Sequence, residues 1–238
     1  QETRPDLGVK EPERAPPPSS YLIAALLYEK AVDGVDRFPL ALPELVRFAG
    51  ESGPKVVLRS KELRLSDRKI SSAALLYMSG NSAPLHIGNN ERKTLGEYLR
   101  SGGLLFAEDV RPAQRRRVRF PDAAVAGTPF DIQFKALMAD PLVLGANARW
   151  QKVPHTHPLY YSFFPFEHGP PPGAASGGSV EELEMLEYRG RVAVFFSDLN
   201  ISYLWSAPQE TGRARAFEFG VNLIVFAMAQ QAAGPALR

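Results

Sequence analysis

The sequence predicts a single α/β domain with a mostly parallel sheet over residues 20–238, preceded by a disordered, proline-rich tail over residues 1–19. Three observations lead to this fold class. Several short runs are apolar throughout, which is typical of strands buried on both faces. Segments of helical periodicity alternate with these runs, as in crossover units between parallel strands. The composition, 45% apolar and 23% charged, is that of a globular protein with a sizeable core.

The first half of the chain predicts four strands and two helices. The strands occupy residues 21–28, 55–58, 73–78 and 104–107. A first helix over residues 39–50 has Pro43 in its first turn, where proline is tolerated. A second helix runs from Asn89 to about residue 101, because an asparagine caps its start and two glycines end it.

The second half predicts a less regular middle and a regular end. We expect a helix over residues 130–140, which Pro141 terminates, followed by loops over 151–166 and 169–178. Residues 180–187 and 191–196 predict an antiparallel strand pair with its turn at Arg189-Gly190. Residues 212–231 predict a helix whose apolar side chains face the sheet.

Composition excludes several classes of function. The chain has no cysteine, which rules out disulfides, thiolate metal sites and a cysteine nucleophile. Its formal net charge of +2 gives no reason to expect nucleic-acid binding. No apolar run is long enough to cross a bilayer. The start at Gln1 favours removal of a signal peptide, so we expect export to the periplasm.

Polar residues follow the predicted buried strands, at the edge of the sheet where α/β proteins bind ligands. Together with a histidine from the aromatic-rich loop, they form the predicted ligand-binding cleft: Ser79, Asn81, Glu108, Asp109, His157 and Asp198. Carboxylates gathered there could raise one another's pKa or hold a cation. The alternative is that these polar residues only mark the ends of the buried strands, as they do in any α/β protein.

Three further features have a functional and a structural interpretation. His155 and His157 have the spacing of metal ligands on an extended chain, or are loop histidines bonded to backbone. The arginines at 115, 116, 117 and 119 could bind phosphate or an acidic partner, or form a solvated loop. Asn222 lies in an apolar helix, and we expect its amide to pin a loop or a strand end.

The glycine-rich dinucleotide motif, the nucleotide-binding P-loop and the serine-hydrolase elbow are all absent from the sequence. We therefore expect no dinucleotide binding, no NTP hydrolysis and no ordinary serine hydrolysis. The sequence assigns no cofactor and no metal ligands.

The order of several short motifs resembles the bacterial family called domain of unknown function 4159. The motifs are Leu26-Leu27-Tyr28, the segments 74–81 and 95–105, Glu108-Asp109, Phe130-Asp131 with Phe134, His157 to Tyr160, Ser197-Asp198-Leu199, and the segment 219–227. The family often has a small residue or a cysteine after the acidic pair, where this chain has Val110.

The resemblance implies a three-layer, flavodoxin-like sandwich related to class I glutamine amidotransferases, with helices on both faces of the sheet, and frequent export. The resemblance does not imply glutaminase activity, because those relatives use a cysteine nucleophile and this chain has no cysteine.

Two hypotheses follow. The first is a non-catalytic domain that binds a protein partner or a small polar ligand in the strand-end cleft. The second is a metal-assisted hydrolase of a carbohydrate or peptide envelope component, with Asp109, His157 and Asp198 as ligands or acid/base groups.

Overall fold

A computed structural model describes residues 20–110, 128–174 and 183–234. The proline-rich tail, the arginine run and residues 175–178 of the glycine-rich loop lie outside the described residues. The interpretations given for them stay predictions.

The described residues form seven strands, five α-helices and two short 3-10 helices. The strands are β1 (Ser20–Leu27), β2 (Val57–Arg64), β3 (Ala73–Gly80), β4 (Leu104–Asp109), β5 (Arg149–Lys152), β6 (Glu184–Tyr188) and β7 (Arg191–Ser197). The α-helices are α1 (Ala41–Ser52), α2 (Asn89–Arg100), α3 (Pro129–Ala139), α4 (Ile201–Ser206) and α5 (Arg213–Ala232). The 3-10 helices are Arg68–Ser72 and Pro158–Tyr161.

All seven strands join one mixed sheet in the order β2-β1-β3-β4-β7-β6-β5. The pairs from β2 to β7 are parallel, and the pairs β7-β6 and β6-β5 are antiparallel. The prediction of a mostly parallel α/β sheet is therefore confirmed. The chain leaves β1 towards β2 on one side and leaves β3 towards β4 on the other. The strand order thus reverses between β1 and β3.

Helices cover both faces of this sheet. On one face α1, α4 and α5 pack against one another and against the strands, with Trp205 and Phe219 fully buried among them. On the other face α2 and α3 contribute Leu95, Phe130 and Phe134 to a second core. β3 lies between the two cores, and all eight of its residues are buried. This explains why its sequence is apolar without alternation.

The hairpin between β6 and β7 was predicted from two residues. Arg189 and Gly190 both have positive φ angles, 51° and 75°, as the two central residues of a type I′ turn require. This turn has the twist that the flanking strands need, so it places β6 antiparallel to β7.

Two elements were not predicted from the sequence. β5 has only one apolar residue, Trp150, because it is a short edge strand and its other residues face solvent. The six residues of α4 are too few to show a helical period. β2 was predicted over residues 55–58 but extends to Arg64, since an edge strand can carry charged residues along much of its length.

The prediction for Asn222 is confirmed. Its side chain is completely buried and donates to the carbonyl oxygens of Leu159 and Phe164 at 2.9 and 2.8 Å. Its amide oxygen accepts from the Phe164 N–H at 2.7 Å. Asn222 therefore fixes the aromatic loop after the second 3-10 helix onto α5.

Candidate functional site

A cavity of about 320 Å³ lies between β1 and β3 at their carboxyl ends, where the strand order reverses. Open α/β sheets usually bind their ligands at this position. The segment between β1 and α1 covers the cavity and contributes Arg37 and Phe38, and α1 contributes Leu42. The sheet contributes the lining residues Ala25, Leu27, Ser60, Glu62, Tyr77 and Ser79. The volume is at the lower end of the range for small-molecule sites.

Asp36 holds the covering segment against the sheet. Its side chain is 1% exposed, and one carboxylate oxygen accepts from the backbone N–H groups of Asn81, Ser82 and Ala83 at 2.9–3.1 Å. The other oxygen accepts from the Val32 N–H at 3.0 Å. Burial alone would raise the pKa of Asp36, but these N–H groups together hold it below its usual value.

Arg37 extends from this segment to the edge strand. Its Nη2 lies 2.6 Å from Glu62 Oε1 on β2, and its Nε lies 2.7 Å from Asp33 Oδ1. The Arg37 side chain is 22% exposed and that of Glu62 is 44% exposed, so the pair lies at the mouth of the cavity. The guanidinium is thus shared by two carboxylates.

Glu108 is completely buried but does not face this cavity. Its carboxylate accepts from the Ser197 hydroxyl at 2.8 Å and from the Ile201 and Ser202 N–H groups at 2.7 and 2.6 Å. The Ser202 hydroxyl also donates to it. Glu108 on β4 therefore accepts hydrogen bonds from the first N–H groups of α4, the helix that follows the neighbouring strand β7. These hydrogen bonds fix the start of the helix.

A pH dependence of stability follows from Glu108. Burial raises its pKa from the ordinary value of 4.5 to about 7, although the surrounding donors lower it. The folded protein then binds this proton more tightly than the unfolded chain, so the contribution is present below about pH 4.5 and is lost as the pH rises through 7. We expect Glu108 to lower the free energy of unfolding by an amount on the order of 3 kcal/mol over this range.

Urea denaturation of the wild type and of Glu108→Gln at pH values between 4.5 and 7.5 measures this contribution. The glutamine cannot titrate, so the difference between the two slopes isolates Glu108 from other groups. Parallel slopes would show that Glu108 does not titrate in this range.

The two carboxylates of the acidic pair are not brought together. Successive side chains on a strand point to opposite faces, so Glu108 faces α4 while Asp109 faces α3. Asp109 is buried and accepts from the Thr128 hydroxyl just before α3. Ser79 near the end of β3 and Asn81 just after it also form hydrogen bonds within the protein. Ser79 donates to the Asp36 carbonyl at 2.9 Å, and the Asn81 amide donates to the Val110 carbonyl at 2.6 Å.

His157 lies away from the carboxyl ends of β3 and β4. Its ring packs against Phe195 of β7 and Phe226 of α5, and its Nδ1 accepts from the Leu159 N–H at 3.1 Å. Burial lowers its pKa, and the charge of Glu187, which pairs with Val192 near the beginning of β7, opposes this. Asp198 directly follows β7, at the opposite end of that strand.

Within the described ranges, no three histidine, aspartate or glutamate side chains are grouped as metal ligands. No helix there is long and apolar enough to cross a membrane.

Asp36 and the cavity-lining residues Arg37, Glu62 and Tyr77 were not predicted as site residues. The first charged residue after β1 is Glu29, and it is exposed. The available signal was the segment Asp33 to Arg37, which carries charged residues and a glycine between the first strand and the first helix.

The family model described as a domain of unknown function, DUF4159, matches residues 22–228. This confirms the family resemblance inferred from the motifs. No curated protein matches the chain.

Proposed function

The chain belongs to the DUF4159 family, and we propose that it is a non-catalytic domain that binds a small ligand in the cavity between β1 and β3. The observation that carries the proposal is the coincidence of this cavity with the reversal of strand order. The position of the covering segment also supports the proposal, because Asp36 accepts three hydrogen bonds from residues 81–83 and one from Val32 within the segment. A preformed cavity loses little entropy on binding.

We also propose that the sandwich is flavodoxin-like, as in the class I glutamine amidotransferases. The parallel strands follow the order β2-β1-β3-β4-β7, which corresponds to the 2-1-3-4-5 order of that fold class. Helices on both faces support the same assignment. Periplasmic location stays a prediction from the sequence.

The site proposed here differs from the cleft predicted from the sequence, of which it retains Ser79. Glu108, Asp109 and Asn81 hold neighbouring elements in place. The hydrolase hypothesis requires the His157 side chain to lie beside Asp109 and Asp198. The His157 ring instead contacts Phe195 and Phe226.

A cavity-filling variant tests the proposal. Ala25 lines the cavity from β1, so the leucine side chain of Ala25→Leu should occupy part of the cavity. The affinity for any ligand of the cavity should then fall at least about tenfold. Ala136→Leu makes the same chemical change on the exposed surface of α3 and serves as the control. A library of small fragments is screened against the wild type by ligand-observed NMR, and the affinities of the hits are measured for all three proteins.

We expect hits whose affinity falls only in Ala25→Leu. Far-ultraviolet circular dichroism checks that this variant is folded. Hits that bind all three proteins equally, or no hits at all, would contradict the proposed site.

A further inference from the structure

We infer that the ligand of this cavity is a small apolar or aromatic molecule that carries a cationic amine, with the amine placed at Glu62. The inference rests on the proposed binding function and adds the chemical class of the ligand. It follows from the lining of the cavity, the charges at its mouth and one buried hydroxyl group.

The inner wall of the cavity suits an apolar body. Leu27 and Ala25 line it from β1, and Phe38 and Leu42 line it from the covering segment and α1. The Phe38 ring is held in place by an edge contact with Tyr203 of α4, with ring centroids 5.3 Å apart. An aromatic ring or a short alkyl chain would therefore meet mainly carbon atoms.

The charges at the mouth favour a cation over an anion. Among the described residues that line the cavity, Arg37 is the one arginine, and its guanidinium lies within 2.7 Å of two carboxylates, those of Asp33 and Glu62. An anionic ligand that approached Arg37 would have to compete with both carboxylates and would be repelled by them. An ammonium group would instead add a second positive charge to a cluster with one negative charge in excess.

Lys61 does not change this balance. Lys61 is one of the residues that line the cavity from β2. Side chains alternate along a strand, so its ammonium group points to the face opposite Glu62. The position of Lys69 supports this, because that like-charged neighbour lowers the pKa of Lys61 and lies in the 3-10 helix that packs into the α2 core.

Tyr77 supplies a second and independent polar contact. Its side chain is 4% exposed and lines the cavity, and its buried hydroxyl oxygen makes no hydrogen bond of good geometry within the described residues, although Ser79 and Ser202 lie near it. Burial raises the pKa of this hydroxyl, so it stays neutral. The Tyr77 ring packs against Phe106 and Trp205, so its hydroxyl is the group that can meet the ligand, and a phenol can accept a hydrogen bond from a donor on the ligand.

Three probes with a similar apolar body test the inference: 2-phenylethylamine, 2-phenylethanol and 3-phenylpropanoate. Isothermal titration gives the affinity of each for the wild type, Glu62→Gln and Ala25→Leu. Glu51→Gln removes an exposed carboxylate that pairs with Arg47 on α1 and is the charge-matched control.

We expect the wild type to bind the amine about tenfold more tightly than the alcohol and to bind the acid most weakly. Glu62→Gln should bring the amine and the alcohol within about twofold of each other, whereas Glu51→Gln should leave the preference unchanged. Added salt should reduce the preference for the amine, because the mouth is solvated.

The outcomes separate the two claims. If the alcohol or the acid binds best and Ala25→Leu weakens it, the amine inference is wrong and the proposed cavity stands. If none of the three probes binds, or Ala25→Leu has no effect on any of them, the proposed cavity fails and the inference fails with it.

Discussion

Replacing Asp36 with alanine is expected to lower the free energy of unfolding by about 3–4 kcal/mol. The variant removes a carboxylate that accepts from four backbone N–H groups and leaves those donors without their partner. It also releases the segment over the cavity from the end of β3. We therefore expect Asp36→Ala to lose binding of any cavity ligand under conditions in which it stays folded.

Asp33→Ala is the matched control, because Asp33 lies three residues away and is 66% exposed. Its ion pair with Arg37 is near the surface, so the change should cost less than about 1 kcal/mol. Urea denaturation monitored by tryptophan fluorescence measures both variants. Equal and small effects would show that Asp36 does not hold the covering segment.

Replacing Glu108 with alanine should have a comparable effect, about 3–5 kcal/mol. Its four donors come from β7 and from the first residues of α4, and all are buried. Without the carboxylate, Ile201 and Ser202 lose their partner and the volume of the side chain is left empty. We expect the first turn of α4 to open.

Amide hydrogen exchange locates this opening, since the Ile201 and Ser202 amides should exchange much faster in Glu108→Ala than the amides of α2. Glu97→Ala is the control, because Glu97 is exposed on α2 and its loss should change stability by less than about 0.5 kcal/mol. Unchanged protection of α4 would contradict the role assigned to Glu108.

The parts of the fold that were predicted correctly are those with a strong local signal. β3 is apolar over six consecutive residues, and glycines end α2 as predicted. The predicted asparagine cap of α2 is wrong, because Gly88 is the N-cap residue and its N–H donates to the Glu91 carboxylate at 2.9 Å. The Arg189-Gly190 turn needed only the preference of two residues for positive φ. In each case the residues that determine the structure lie within the short segment itself.

The elements that were missed depend on distant residues. α4 is too short to be stable alone, and its start is set by Glu108, which lies 93 residues earlier in the chain than Ile201. β5 forms because β6 offers it a partner. Neither partner can be recognised from the six or four residues of the element itself.

The cleft predicted from the sequence lies at the same edge of the sheet as the proposed cavity but consists mostly of different residues. Alternation along β4 already implied that Glu108 and Asp109 point to opposite faces, and the prediction did not use it. Asp36 could not be placed, because its role requires the covering segment to fold back on residues 81–83. A buried carboxylate and a ligand-binding carboxylate have the same sequence signature.

The most direct test of the central claim is chemical-shift mapping of 2-phenylethylamine on the labelled protein. The account predicts that the perturbed amides cluster at residues 25–27, 60–62 and 77–79 and at Arg37, Phe38 and Leu42, around the cavity. Perturbations centred instead on Asp109, His157 or Asp198 would contradict it and would return the site to the cleft first predicted from the sequence.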